Sequence, residues 1–282
     1  MTRWLITGAG GMVGIDLRDE LVARDVEFRA LTRAELDVTN ARAVSAAIEE
    51  TAPDVIVNCA AYTRVDDAEA NEHAANAVNA SAVEIVANAA NEARALLVQI
   101  STDFVFDGSK TTPYAINDQT SPLSAYGRSK LLGEIAATHA REHLIVRTSW
   151  LFGVHGNNFV EAIRNQIRKG TNPLRVVHDQ RGRPTYTPHL ARAIIRLAEH
   201  RDARGIVHYA DEPECTWFDF AKAIVEEAGA PTEVVPVTTD AFPRPAKRPP
   251  YSVLSTERYE RLTGVTPDSW REGLQEYLER RP

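Results

Sequence analysis

Short apolar runs alternate with longer stretches of helical composition through the first half of the chain. The runs are Trp4-Leu5-Ile6, Val26 to Leu31, Val55-Ile56-Val57, Leu96-Leu97-Val98-Gln99-Ile100 and Leu144-Ile145-Val146. Between them, residues 15–22, 41–50, 72–93 and 126–140 are rich in good helix formers such as Ala, Glu and Leu. Strands that are apolar on both faces and spaced by helices predict a parallel sheet covered on both sides. The pattern therefore predicts an α/β fold, a doubly wound parallel sheet of the Rossmann kind.

The pattern loosens after about residue 150, where prolines at 173, 184, 188, 213, 231, 236, 243, 245, 249 and 250 mark loops. Helical patterns persist at 158–169, 187–200, 216–229 and 269–279. This half is expected to form a smaller C-terminal substrate lobe. The run Ile206-Val207-His208-Tyr209 is expected to return to the main sheet and interleave the two parts. The division is residues 1–150 for a dinucleotide-binding domain, with a returning segment near 187–210, and 151–186 and 211–282 for the lobe. No internal repeat or low-complexity tract interrupts it.

Composition narrows the function classes. Of 282 residues, 44% are hydrophobic and 25% charged, so a packed globular chain is expected rather than a disordered one. A formal net charge of −7 argues against a broad nucleic-acid or membrane-surface footprint, yet leaves room for a local cationic site for an anion. Cys59 and Cys215 form no CxxC pair, so a reduced, cytoplasmic setting is expected. No apolar run approaches the roughly 18 residues of a membrane span, and no basic leader precedes the first strand. Of the eight histidines only His139 and His143 stand in HxxxH spacing and none in HExxH, and no metal site is assigned.

The first apolar run leads into Thr7-Gly8-Ala9-Gly10-Gly11-Met12-Val13-Gly14, followed at once by a helical pattern. Glycine permits a tight turn and close backbone approach. The helix N-terminus then offers free N–H groups and a positive dipole end to a pyrophosphate. Strand, glycine loop and helix in that order point to a dinucleotide. The TGxxGxxG form resembles the extended short-chain dehydrogenase/reductase superfamily. An acidic residue after the second strand would bind the ribose hydroxyls of NAD. The segment Leu31-Thr32-Arg33 shows none, and Thr32 and Arg33 suit a 2′-phosphate, so NADPH is expected, with NADH possible.

Tyr126 and Lys130, four residues apart, share one face of a helix. A phenol has a pKa near about 10, and a nearby ammonium lowers it toward a working general acid/base. Such pairs are routine on helices, but this one has company. The fourth run ends in Ser101-Thr102-Asp103-Phe104, and strand C-termini line the ligand crevice of an open α/β sheet. A Thr102 hydroxyl there can bond a substrate oxygen whose charge changes during reaction. Thr102, Tyr126 and Lys130 match the Ser/Thr-Tyr-Lys triad of the superfamily.

Further stretches narrow the resemblance. They are Pro53 to Asn58 with Ala60, Ala61, Thr63, Val65 and Asp66; Asn79-Ala80; Ser101 to Phe106; Ser121-Pro122 with Tyr126-Gly127 and Lys130; Arg147 to Trp150; Gly156 to Phe159; Asp179-Gln180 with Gly182 and Pro184-Thr185; and Arg248-Pro249 before Ser252-Val253-Leu254. Over nearly its whole length the chain resembles the dTDP-4-dehydrorhamnose reductase family. That resemblance implies reduction of the C4 keto group of dTDP-4-dehydro-L-rhamnose, with a nucleotide sugar as partner in a monomer or homodimer. It implies that Gly8, Gly11, Met12, Val13 and Gly14 hold the pyrophosphate and that Asp37 and Val38 meet adenine. Ala60, Ala61, Thr63 and Asn79 would line the cofactor cleft. Thr102, Asp103, Phe104, Trp150, Asn157, Asn158, Gln180 and Arg183 would form the substrate pocket. Arg183 stands where the family often carries a small residue. Phe104 stands where 4,6-dehydratases of this fold carry a Glu, so elimination lacks its acid and simple reduction is favoured. Two alternatives remain: a reductase of another nucleotide-linked 4-keto-6-deoxy sugar, and a non-catalytic NADP-binding module resembling the regulatory subunit of methionine adenosyltransferase.

Overall fold

The computed structural model describes residues 2–281. Six parallel strands form the central sheet: β1 (Trp4–Thr7), β2 (Phe28–Leu31), β3 (Val55–Asn58), β4 (Leu96–Thr102), β5 (His143–Thr148) and β6 (Gly205–His208). Their spatial order is β6-β5-β4-β3-β1-β2. The order reverses between β1 and β3, which opens a crevice at their C-terminal ends.

Alternation along the strands explains why both faces are covered. Trp4, Ile6, Val57, Val98, Val146 and Val207 point to one face and pack on Leu17, Leu21, Leu190 and Ile194. Leu5, Ile56, Leu97 and Ile145 point to the other and pack on Val44, Ile48, Val83, Val86 and Ala137. Each such aliphatic side chain contributes roughly 1.5–3 kcal/mol when fully buried. Leu190 and Ile194 belong to helix Thr187–Glu199, so the chain returns to the main core after leaving it. A separate core of Phe152, Val160, Leu174, Tyr186, Phe220, Ile224, Trp270 and Tyr277 holds the C-terminal part. There Leu174–Val177 pairs in parallel with Val234–Val237.

Two elements differ from the sequence expectation. The second strand starts at Phe28, because the Val26 N–H closes the preceding helix end on Leu21 O. The expected helix over 72–93 is broken into Glu72–Asn76, a π-helical turn Ala77–Ser81, and Ala82–Ala93. Asn79 in that turn is buried and fully engaged by tertiary hydrogen bonds, which hold the wider turn in place. Among the described residues, no helix is long and apolar enough to cross a membrane.

Candidate active site

The glycine loop joins β1 to helix Met12–Ala23 at the crevice. Gly8 has φ +62°, and a Cβ there would lie 2.5 Å from Ala60 N. A Cβ on Gly14 would lie 2.7 Å from Ala9 Cα. Only glycine lets the loop lie against the chain after β3 and the helix start against the loop. No side chain caps the helix at Gly11, so its first-turn N–H groups face the crevice mouth without a side-chain acceptor. Ala9 N donates to Leu31 O at 3.0 Å, tying the loop to the end of β2.

A polar ladder crosses the floor below. Thr7 Oγ1 donates to Asn58 Oδ1 at 2.6 Å, Asn58 Nδ2 to Gln99 Oε1 at 2.8 Å, and Gln99 Nε2 to Ile100 O at 2.9 Å. The sheet register sets this alignment, since Thr7, Asn58 and Gln99 are direct neighbours on β1, β3 and β4. Lys130 Nζ donates to the same Ile100 carbonyl at 2.6 Å. Sequence reasoning did not single out Asn58 or Gln99; the available signal was an amide interrupting an apolar strand.

Helix Ala125–Ala137 carries Tyr126 and Lys130 to the end of β4. Ser124 caps it, its Oγ accepting from Gly127 N at 3.1 Å. A Cβ on Gly127 would lie 2.3 Å from Phe104 O, and one on Gly133 2.0 Å from Asn79 O. These two glycines let the helix approach the 102–104 turn and the π-turn. Asn79 accepts from Tyr62 N at 2.8 Å and donates to Tyr62 O at 3.0 Å and Ser129 Oγ at 2.9 Å. It therefore clamps the loop holding Ala60, Ala61 and Thr63 to the helix holding Tyr126.

Tyr126 and Thr102 meet. Burial pushes the Tyr126 phenol up to about 12, against a smaller downward pull from its hydrogen bond with the Thr102 side chain. Thr102 Oγ1 also donates to Asp103 Oδ1 at 3.0 Å and accepts from Phe104 N at 3.2 Å. The Phe104 ring stands edge-on to Tyr126, centroids 5.8 Å apart. Burial pushes Asp103 up to about 6, opposed by hydrogen bonds from Ser252 and Thr102. Burial lowers Lys130 to about 8, with Glu134 and Cys59 acting against it. The expected lowering of Tyr126 by Lys130 is thus not what this arrangement delivers. The ammonium is spent on Ile100 O, and desolvation dominates at the phenol.

The substrate-side residues divide. Trp150, held at φ +47°, stacks on Trp217 with centroids 3.6 Å apart and planes at 7°. A Cβ on Gly182 would lie 2.5 Å from the Trp150 ring. Trp217 Nε1 donates to Gln180 Oε1 at 3.2 Å, and Gln180 Nε2 to Thr239 Oγ1 at 3.0 Å. Asn158 caps helix Phe159–Arg168 and donates to Gly153 O at 2.7 Å, so its amide is committed to holding that loop. Asn157 is exposed beside it. Arg183 is engaged elsewhere as well: its Nη1 lies 3.2 Å from Glu212 Oε1, and it lines a cavity of about 380 Å³ with Thr112, Pro113, Ser255, Thr256 and Glu260.

At the adenosine end, Thr32 donates both its N–H and its hydroxyl to Glu35, at 2.8 and 2.7 Å. A carboxylate therefore does stand after β2, contrary to the expectation from Leu31-Thr32-Arg33. Arg33 is exposed. Asp37 Oδ1 accepts from Thr39 N and Oγ1, while Val38 is buried. Among the described residues, Asp16, Asp19 and His155 bring one potential ligand atom each within 4.8 Å of one another, a grouping that histidine spacing did not reveal.

The reversing parallel sheet, the glycine-bound helix start and the Thr102–Tyr126–Lys130 grouping define an extended short-chain dehydrogenase/reductase. The family model described as RmlD substrate binding domain matches residues 2–281. The dTDP-4-dehydrorhamnose reductase of Mycolicibacterium smegmatis is 42% identical, covering 97% of this chain and 84% of that protein. A probable dTDP-4,6-dihydroxy-2-methyloxan-3-one 4-ketoreductase of Streptomyces antibioticus is 44% identical over 97% and 94%. The crystal structure of dTDP-4-dehydrorhamnose reductase from Bacillus anthracis in complex with NADP superposes with a TM-score of 0.94 at 37% identity, covering 99% of this chain and 100% of that one. The chain belongs to the dTDP-4-dehydrorhamnose reductase family.

Proposed function

We propose that this chain reduces the C4 keto group of dTDP-4-dehydro-L-rhamnose to give dTDP-L-rhamnose, with NADPH as reductant, in the cytoplasm and as a monomer or homodimer. The observation that carries the reading is the contact of the half-buried Tyr126 with the buried Thr102 at the C-terminal end of β4, beside the dinucleotide crevice. The B. anthracis relative, solved with NADP, supports the choice of cofactor.

The residues present fit a dinucleotide. Gly8 and Gly14 let the loop pack directly on the chain after β3 and the helix start pack directly on the loop, with no side chain between, and the helix start at Gly11 lacks a side-chain cap. Gly8, Gly11, Met12, Val13 and Gly14 would hold the pyrophosphate, with Thr32, Arg33, Asp37 and Val38 at the adenosine end. Ala60, Ala61, Thr63 and Asn79 would shape the cleft. When bound, the nicotinamide supplies a hydride to C4. The chain's own task is then the proton. With its phenol pushed up to about 12, Tyr126 holds its proton at neutral pH and is placed to give it to the developing C4 alkoxide. The Thr102 hydroxyl would bond the same oxygen and stabilise its growing charge. Lys130, still largely protonated near pH 7, would add positive charge and bind ribose hydroxyls. Residues 151–186 and 211–282 would form the substrate lobe, with Trp150 against the sugar and Asp103, Phe104, Asn157 and Gln180 around it.

A second reading keeps the chemistry and changes the sugar. The 44% identity to the Streptomyces ketoreductase favours another dTDP-linked 4-keto-6-deoxy sugar. The test is to supply purified protein with NADPH and either dTDP-4-dehydro-L-rhamnose or dTDP-4-keto-6-deoxy-D-glucose, and to identify the products by NMR. The first reading predicts dTDP-L-rhamnose from the first substrate. Turnover of the second sugar alone favours the alternative. Oxidation of NADPH by neither overturns both.

A further inference from the structure

The turn after β2 supplies a carboxylate that the order of residues conceals. The N–H groups of Glu35 and Leu36 both donate to Thr32 O, at 3.1 and 2.9 Å, closing residues 32–36 into one turn. That turn swings the exposed Glu35 back over Thr32, where a single oxygen, Oε2, accepts the Thr32 N–H at 2.8 Å and the Thr32 hydroxyl at 2.7 Å. Those two hydrogen bonds, helped by Arg29, hold the Glu35 carboxyl below its ordinary range, so it is ionised at neutral pH. The place matters as much as the charge. Leu31 O is bonded to Ala9 of the glycine loop, and the Thr32 methyl lies 3.7 Å from where a Cβ on Gly10 would be. In a doubly wound sheet, this junction of glycine loop and second strand is where the adenosine ribose of a dinucleotide lies.

We propose that Glu35 sets the cofactor selectivity of this chain: it occupies the two Thr32 donors that a ribose 2′-phosphate needs, and so weakens NADPH relative to NADH. The inference rests on the dinucleotide reading above and deepens it. A ribose 2′-hydroxyl can donate to a carboxylate; a 2′-phosphate has nothing to donate and is repelled by it. The neighbouring Arg33 acts in the opposite sense by offering a cation to the phosphate. For a 2′-phosphate to bind Thr32, Glu35 must let go of both donors. The chain is therefore expected to bind both dinucleotides with modest discrimination.

The test reads binding without any sugar. Dissociation constants for NADP⁺, NAD⁺, adenosine 2′,5′-bisphosphate and 5′-AMP are measured by calorimetry on the wild-type chain, Glu35→Ala and Glu35→Gln. Glu35 is exposed, so neither substitution disturbs the core, and far-UV circular dichroism verifies this. The expected result is that Glu35→Ala tightens both 2′-phosphorylated ligands by about tenfold while 5′-AMP changes by less than about twofold. Glu35→Gln, which removes the charge and keeps the shape, should move in the same direction. An unchanged ratio of NADP⁺ to NAD⁺ affinity in Glu35→Ala, with both still bound, overturns the proposal and leaves the dinucleotide reading standing. Binding of none of the four ligands overturns the dinucleotide reading and this inference with it.

Discussion

The ammonium of Lys130 donates to the backbone carbonyl of Ile100 at 2.6 Å, and the same carbonyl accepts from the Gln99 amide. Lys130 is thereby anchored to the hydrogen-bonded ladder that spans β1, β3 and β4. It serves as a fixed buried cation rather than as the group that softens the Tyr126 phenol. Burial lowers it to about 8. Reductase kcat/KM should therefore be flat from about pH 6.5 to 7.5 and fall as pH rises through about 8, where the ammonium loses its proton. In Lys130→Arg the guanidinium does not titrate in this range, so the residual activity should lose that limb. A limb that stays near 8 in the variant assigns it to another group.

Asp103 gives a linkage test with a definite sign. Its carboxyl is raised in the folded chain to about 6, so folding favours the protonated form. Its stabilising contribution is full below about pH 4, the unfolded value, and is lost as pH rises through about 6. At pH 7.5 the fold carries a buried carboxylate with one oxygen unpaired. Asp103→Asn should be more stable than wild type by about 2–3 kcal/mol at pH 7.5 and equal to it near pH 4, read as urea midpoints. The opposite pattern, with the variant weaker at pH 7.5, would show that the carboxylate is stabilised by its neighbours.

Glu134 and Arg147 form a buried pair beneath the site, with Arg147 Nε and Nη2 donating at 2.8 and 2.7 Å to the two carboxylate oxygens. His208, pushed down to about 3 by burial and by Arg147, stays neutral beside them. Arg147→Met leaves a buried carboxylate without its cation and should cost about 3–5 kcal/mol in urea unfolding. Glu134→Leu combined with Arg147→Met should recover most of that loss. A double variant as weak as the single one would show that packing around Phe106 and His208, rather than charge, fixes this region.

Much of the fold was legible in the sequence because burial on both faces leaves an unmistakable pattern. Val55-Ile56-Val57 and Leu144-Ile145-Val146 can only be inner parallel strands, and the return of Ile206 to His208 follows from the same signal. Thr102, Tyr126 and Lys130 stand out in the sequence because a strand end and a helix start carry them whatever surrounds them. Their hydrogen-bond partners could not be read, because Gly127 and Gly133 set the helix–sheet approach, and that is a tertiary quantity. The π-turn at Asn79 was hidden for the same reason: Tyr62 and Ser129, far along the chain, hold it. The stacking of Trp150 on Trp217 depends on the lobe closing on itself. Glu35 leaves a faint trace, since Thr32 followed three residues later by Glu is the spacing of a capping box.

The central claim is that Tyr126 delivers the proton as the C4 alkoxide forms. It is tested most directly by Tyr126→Phe, which keeps the ring against Phe104 and removes only the hydroxyl. Nicotinamide absorbance is followed during reduction of dTDP-4-dehydro-L-rhamnose, with NADPH affinity measured separately. The account predicts a fall in kcat of about two to four decades with dinucleotide affinity within about threefold of wild type. Turnover at the wild-type rate in the variant would contradict it.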